Sequence, residues 1–383
     1  MTKSGEGVSR RTFLAAAGSA VAAGLSLAYG VRRSGAAAAR SAARFDPPPI
    51  DPEAEFVQPR AAQVALYGRI TDPGSPVHAN PKPGDVIGFL HQHDVLPVLE
   101  MAHGEGKHPN NDLWYRFSAG WVYTANVQPI RPYRTPEEIT EIKTQIKSRT
   151  GDLIPGFWGE IVVPFTTART EPSGAPASLL DNTNMVLFYG STFRVIEAKP
   201  DDGNNLWYKV ADDRKGSDPY WILARHLRMM QPHELAPIHP GANKRIEVSL
   251  EQQRIDCYED DQVVFSVLCS SGGAGFATPK GDHAAVYKMP SRHMYSDPET
   301  EAFSDPNYFD LPGVPFNTFI TTEGHAIHGT FWHGDYGRPR SHGCLNVTPD
   351  AARWIFRWVE PATPYEELAN GSSAEPGTPV RVA

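Results

Sequence analysis

The chain has 383 residues, a formal net charge of −8, 40% hydrophobic and 21% charged residues, a balance that gives a globular protein a sizeable core. Seven basic residues and one acidic residue fall in residues 1–44, so the remainder, 29 basic and 43 acidic, carries a net −14 and is a poor candidate for binding nucleic acid or anionic lipid. Three cysteines are too few for a disulfide scaffold, and 35 prolines with 33 glycines favour short strands and turns over long helices.

At the N-terminal end, Ser9-Arg10-Arg11-Thr12-Phe13-Leu14 opens an uncharged, Ala/Gly-rich run reaching Val31. Paired arginines before a mildly apolar stretch resemble a twin-arginine (Tat) export signal, and the small residues Ala36–Ala39 offer a cleavage site. Arg32-Arg33 between run and site leave an uncleaved membrane anchor as the alternative. Residues 1–44 are therefore set apart from the fold, and the protein is expected to be exported and to work outside the membrane. Residues 45–59, with Pro47-Pro48-Pro49 and Pro52, read as an extended linker.

The middle of the chain repeats itself. Leu113-Trp114-Tyr115-Arg116-Phe117 followed by Trp121-Val122-Tyr123-Thr124-Ala125 is echoed by Leu206-Trp207-Tyr208-Lys209-Val210 followed by Trp221-Ile222-Leu223-Ala224. Self-similarity of this kind means two copies of one supersecondary unit, and short alternating strands broken by Gly, Pro and Asp are a small-barrel signature. The pattern is similar to bacterial SH3-like modules, accessory domains of cell-wall proteins, and is placed at 60–132 and 156–232. The tryptophans fill barrel cores or form a glycan or peptide platform; core filling is favoured. Between the copies, in a helical linker over 133–155, Ile139, Ile142 and Ile146 share one face of a helix that Thr135 caps.

From Lys244 onward apolar and polar residues alternate as in half-buried antiparallel strands. Arg254–Tyr258 and Val263–Leu268 form a hairpin in which Cys257 faces Val264, too far from Cys269 for a bridge. Residues 290–315, rich in Asp, Pro and Tyr, are expected to form a lid or cleft wall. Pro349–Val359 reads as a short helix with Thr348 as its N-cap, and residues 378–382 as a closing strand.

The densest chemistry lies at 325–346, with His325, His328, His333, His342 and Cys344. A thiol needs a base to become a nucleophile, and backbone N–H groups, here those of Gly343 and Cys344, to hold the oxyanion that follows attack. A core cysteine and a zinc site are the alternatives, but His328 and His333 stand five apart, outside the common zinc spacings. His328-Gly329-Thr330, Gly337, Ser341-His342-Gly343-Cys344 and Asn346 together resemble the L,D-transpeptidase catalytic domain (YkuD type), over about 244–383. The fold class expected is mainly β: two small SH3-like barrels followed by a β-rich catalytic domain with a short helix after the nucleophile.

The resemblance implies Cys344 as nucleophile, His328 as the base that raises its thiolate fraction, and the Gly329 carbonyl as the group orienting His328. His342 is the competing base, read in a supporting role because it stands two residues before Cys344; Ser341, Asn346 and Thr330 are read as hydrogen-bonding support, while Arg338 and Arg340 flank the cleft as partners for peptidoglycan carboxylates or as solvated loop charge. The implied reaction is 3→3 cross-linking of peptidoglycan stem peptides. Cys344 takes the acyl group of the third stem residue, D-Ala leaves, and an amine of a neighbouring stem resolves the thioester. No metal or organic cofactor is required, and a carbapenem-type β-lactam is the covalent inhibitor expected. The rival readings are an L,D-carboxypeptidase using the same residues with water, and a non-catalytic wall-binding protein.

Overall fold

The computed structural model describes residues 66–375 and 377–383; the expected export signal (1–44) and the Pro-rich linker (45–59) lie outside them. The described chain is mainly β, with one α-helix, Pro349–Trp358, among the described residues.

In the first repeat a five-stranded antiparallel sheet runs in the order Val86–Leu90, Ser75–His78, Gly120–Tyr123, Asn111–Phe117, Glu100–His108. A three-stranded sheet centred on Tyr67–Ile70 packs beside it. In the second repeat the order is Tyr220–Leu223, Leu206–Ala211, Thr192–Pro200, Phe157–Ile161, Leu227–Met229. The echoed sequences occupy matching positions. Arg116 pairs with Trp121 across one hairpin and Lys209 with Trp221 across the other. Each hairpin runs into a 3₁₀ turn, Thr124–Asn126 or Ala224–His226, and then a strand that pairs back onto the first strand of its repeat. Trp114, Trp207 and Trp221 are buried, and Trp121 is partly buried against Trp114 and Tyr123.

The helix expected over 136–147 is absent. Ile139 donates its N–H to the Tyr208 hydroxyl at 2.6 Å, and Gln145–Lys147 pairs antiparallel with Leu153–Pro155. Ile139, Ile142 and Ile146 do pack against the core, Ile146 from a strand and the other two from irregular chain. β-Branched residues at 139, 140, 142, 144 and 146 lose rotamer freedom in a helix and fit an extended backbone, so packing overrides the helical spacing.

The C-terminal region holds two sheets. One runs Gln262–Leu268, Arg254–Glu259, Lys244–Ser249, Pro379–Val382, Gly281–Ala284; the other runs Tyr287–Tyr295, Asp310–Phe319, Ala326–Gly329, Leu345–Val347. A bulge between Cys257 and Tyr258 moves Cys257 opposite Phe265 instead of Val264. All three cysteines are free. The helix starts at Thr348, whose hydroxyl accepts the Ala351 N–H at 3.3 Å, with Pro349 in the first turn. Two buried lysines close its other end: Lys288, its pKa lowered by burial to about 7, donates to the Phe356 and Val359 carbonyls and Lys244 to that of Trp358, so amine donors meet the negative end of the helix dipole.

Two polar junctions fasten the second repeat to this region. Arg228 and Arg353 share Glu160 and Glu234. His293, buried, has Nδ1 2.7 Å from Asp212 and Nε2 2.5 Å from Asp310, both carboxylates also buried. Since both ring nitrogens face carboxylates, both donate, and the ring is an imidazolium. Burial pulls the His293 pKa down, but the bonds to Asp212 and Asp310 outweigh it and hold it above the usual histidine value; Asp212, raised by burial and lowered more by His293, ends below the usual carboxylate value. The imidazolium therefore adds its full stabilisation below pH ~6.5 and loses it as pH climbs through the raised value. Asp212 adds its share above pH ~4 and loses it as pH falls. Melting temperature is expected to peak between those limits and decline above them. In His293→Gln that alkaline decline should vanish, with a loss of about 3–5 kcal/mol near pH 6 from two carboxylates left without their cation. Calorimetry across pH 4–9 checks this; an unchanged alkaline limb in the variant excludes the staple as its source.

Candidate active site

Strands Ala326–Gly329 and Leu345–Val347 run parallel, with His328 opposite Asn346. Alternation along a strand puts Cys344, two residues before Asn346, on the same face. The sheet thus gathers the candidate nucleophile Cys344, the candidate base His328 and the Asn346 amide from the two ends of the 325–346 stretch.

A chain of hydrogen bonds fixes the protonation of each ring. The Asp335 N–H donates to His333 Nδ1 at 3.1 Å, so the His333 proton sits on Nε2 and is donated to Asn346 Oδ1 at 3.0 Å. Asn346 Nδ2 then donates to His328 Nε2 at 3.0 Å, and His328 Nδ1 donates to the Gly329 carbonyl at 3.0 Å. Every member is buried. Burial lowers the His328 pKa to about 4, with the Gly329 carbonyl pulling the other way. Burial and then the Arg340 charge lower that of His333 to about 3. Both rings are neutral at pH 7.

Cys344 sits among Val286, Met289, Phe319 and Ala326, its Sγ 3.8 Å from the Gly324 carbonyl. Burial raises the thiol pKa to about 11, with the Ala326 N–H partly opposing. The raised thiol and lowered imidazole pKa values make the resting pair a neutral thiol and a neutral imidazole.

The other expected residues fall as follows. Gly343 has φ +105°, and a Cβ there would lie 2.8 Å from the His325 ring, so the turn requires glycine. Its N–H donates to Ser341 Oγ at 3.1 Å, and Ser341 in turn donates to the Cys344 carbonyl. Ser341 therefore stiffens the nucleophile turn, and the Gly343 donor expected for an oxyanion is spent inside it. His342 lies in an aromatic slot, 4.3 Å from Phe276 and 4.9 Å from Phe309, ring centre to ring centre. Burial there lowers its pKa against the pull of Glu301, Asn307 and Asp305, all from the connection 296–309. Buried Thr330 donates its N–H to the Val347 carbonyl at 2.9 Å. Arg338 and Arg340 both pair with Asp335, at 2.5 and 3.2 Å, and Arg340 also reaches Asp72 at 3.4 Å.

Asp72 belongs to the first repeat, which clamps the 330–341 loop at three further points. The Arg69 guanidinium, fully buried, donates to the Phe331 carbonyl, to Gln128 Oε1 at 2.7 and 2.9 Å, and to His93 Nδ1 at 2.9 Å. Burial lowers its pKa to about 9. The Gly334 N–H donates to the Ala125 carbonyl at 3.1 Å, and Asn110 Nδ2 donates to the Gly337 carbonyl at 3.1 Å. Gly334 has no room for a side chain, since a Cβ would lie 2.4 Å from the Val127 carbonyl oxygen. Arg69, Asp72, Asn110, His333 and Asp335 were all missed as site residues. Glycines at 334 and 337 inside a catalytic loop were the one sequence signal of a close neighbour.

Residues 243–382 match the family model described as the L,D-transpeptidase catalytic domain, YkuD. Among solved structures the chain is similar to an Enterococcus faecium L,D-transpeptidase crystallised as a Cys-to-Ser mutant, with 25% identity over 37% of this chain and 50% of that one, TM-score 0.29. The match thus spans half the length of that neighbour. It is also similar to an L,D-transpeptidase from Mycobacterium smegmatis (19% identity, 57% of this chain and 100% of that one, TM-score 0.31). A third neighbour is an L,D-transpeptidase in complex with imipenem (14% identity, 66% of this chain and 100% of that one, TM-score 0.30). No curated protein matches. His328, Asn346 and Cys344 all fall inside the segment 243–382 that matches the YkuD-type L,D-transpeptidase catalytic-domain model.

Proposed function

We propose that the protein is an exported peptidoglycan L,D-transpeptidase that forms 3→3 cross-links by acyl transfer through Cys344. The observation that carries this reading is the chain His333–Asn346–His328, which presents a neutral imidazole on the sheet face that bears the only partly exposed thiol. In the first step Cys344 Sγ attacks the carbonyl of the third stem residue, its proton passes to His328 Nε2, and the C–N bond to D-Ala breaks with that proton going to the leaving amine. In the second step an amine of a neighbouring stem attacks the thioester, forms the new amide, and returns the proton to the thiol. The two repeats, as SH3-like modules, hold the enzyme at the wall, and the first also buttresses the catalytic loop.

Intact-mass spectrometry of residues 45–383 tests the reading, with a carbapenem and with a tetrapeptide stem. A covalent adduct is expected on the wild type and none on Cys344→Ala. A folded wild type that takes up neither compound sinks the transferase reading and favours a wall-binding protein. Product analysis with an added acceptor stem separates cross-linking from L,D-carboxypeptidase hydrolysis.

A further inference from the structure

Next to the nucleophile lies an open cleft of about 640 Å³ whose walls come partly from outside the catalytic domain. The hairpin between Gln145–Lys147 and Leu153–Pro155 supplies Lys147 and Arg149; Tyr287, Thr322, Glu367 and Ser373 come from the C-terminal region. The hairpin is held in place by backbone bonds, Lys147 N–H to the Glu366 carbonyl and Leu368 N–H to the Lys147 carbonyl at 2.9 Å.

The cleft shares Val286, Tyr287 and Ala369 with the apolar cluster around Cys344. Tyr287 packs on the same apolar cluster as Cys344 and stacks on Phe319 at 4.1 Å. Thr322 lies in the turn that contains Gly324, whose carbonyl faces the thiol.

Its electrostatics are positive. Lys147 stands 4.0 Å from Glu367, which roughly balances it. Arg149 has no carboxylate within ion-pair distance among the described residues: its guanidinium lies 5.5 Å from the Tyr287 ring centre and 3.8 Å from Met289 Sδ. A guanidinium propped on an aromatic face, with most of its five N–H donors directed to no protein acceptor, is organised for a planar anion that accepts two parallel bonds.

We propose that this cleft binds a carboxylate of the peptide that is processed at Cys344, with Arg149 as the anion-binding side chain. The assignment rests on the transferase reading for the identity of the peptide. A cleft of this size takes a short peptide, and a stem offers both a terminal D-Ala carboxylate and internal ones. Arg149 is exposed in this open cleft, so a bidentate Arg–carboxylate pair gives up to roughly a tenfold change in affinity, about 1.4 kcal/mol.

Calorimetric titration in a Cys344→Ala background, where no turnover occurs, tests it. The probes are a tetrapeptide stem, the same stem with its terminal carboxylate amidated, and the stem with its internal carboxylates amidated. Arg149→Ala is expected to weaken the unmodified stem about tenfold, with partial recovery in Arg149→Lys. One of the two amidated stems should bind the Arg149 protein equally weakly and show no further loss in Arg149→Ala, which identifies the carboxylate. Equal affinity of all three stems, equal affinity of the two proteins, or no binding of any stem overturns the proposal. A stem that binds through Arg149 yet never acylates wild-type Cys344 leaves the cleft standing and removes the transferase reading instead.

Discussion

Alkylation of Cys344 by iodoacetamide is expected to be slow at pH 7 and to rise about tenfold per pH unit without levelling off until pH approaches 11. The cause is the apolar nest that holds the thiol pKa at about 11. At pH 7 only about one thiol in ten thousand is ionised, against a few per cent for a free cysteine. A more basic thiolate is a better nucleophile, which recovers about a factor of ten, so the net rate should fall some thirtyfold below that of a free thiol. A thiolate–imidazolium pair would give the opposite profile, a plateau reached by about pH 7. Pseudo-first-order rates across pH 6–11, read by intact mass, decide between them, and the plateau would reject the neutral pair. The same neutrality sets the activity profile. His328 accepts a proton only while unprotonated, and its pKa is about 4, so turnover should stay flat above pH 5 and fall as pH drops through 4. For the proton to arrive, Asn346 Nδ2 has to release His328 Nε2, which it holds at 3.0 Å. In the proposed reaction, catalysis begins with that exchange of partners and a rotation of the thiol away from Gly324.

The sequence made the centre of the site legible because its parts are local. His328 and Cys344 are separated by a single loop, and a parallel pair of short strands is enough to bring both onto one face. The internal repeat was legible for a similar reason, since each copy encodes one hairpin and its closing strand. What stayed hidden came from distance. Arg69 lies 262 residues before Phe331 and shows no local pattern that ties the two together. Arg338 and Arg340 read as substrate partners or solvated loop charge, because nothing in the sequence shows that Asp335, a few residues before them, is buried and pairs with both. His333 was visible as a histidine but not as the far end of a relay, because its role follows from the Asp335 N–H that fixes its tautomer. The missing helix shows the limit of periodicity: isoleucines at 139, 142 and 146 suit one face of a helix, yet Pro136 and the β-branched run let a non-helical chain pack the same residues against the core.

Replacing Arg69 with methionine is expected to leave the protein folded and to lower kcat about a hundredfold at nearly constant KM, an effect typical of a catalytic group displaced by about 1 Å. The guanidinium is buried with no carboxylate among its partners, so its removal relieves a desolvated charge. That relief offsets the roughly 1–3 kcal/mol lost at each of the acceptors left behind. Stability should therefore move little, and the loop should move much. With the Phe331 carbonyl unanchored, the segment carrying His333 and Asp335 loses one of its fixed points, and the tautomer chain that holds His328 slackens. The His333 Nε2–H proton gives a readout that a purely structural role would not change: its NMR signal should exchange with water faster in Arg69→Met than in the wild type. Gly334→Ala presses on the same contact from the loop side, because the new methyl meets the Val127 carbonyl oxygen. It should reproduce the kcat loss and the faster exchange although it removes no charge. Wild-type kcat in both folded variants would reduce the first repeat to a tether. A matched loss in both makes it part of the catalytic machinery, since the two substitutions share only the surface between the repeat and the loop.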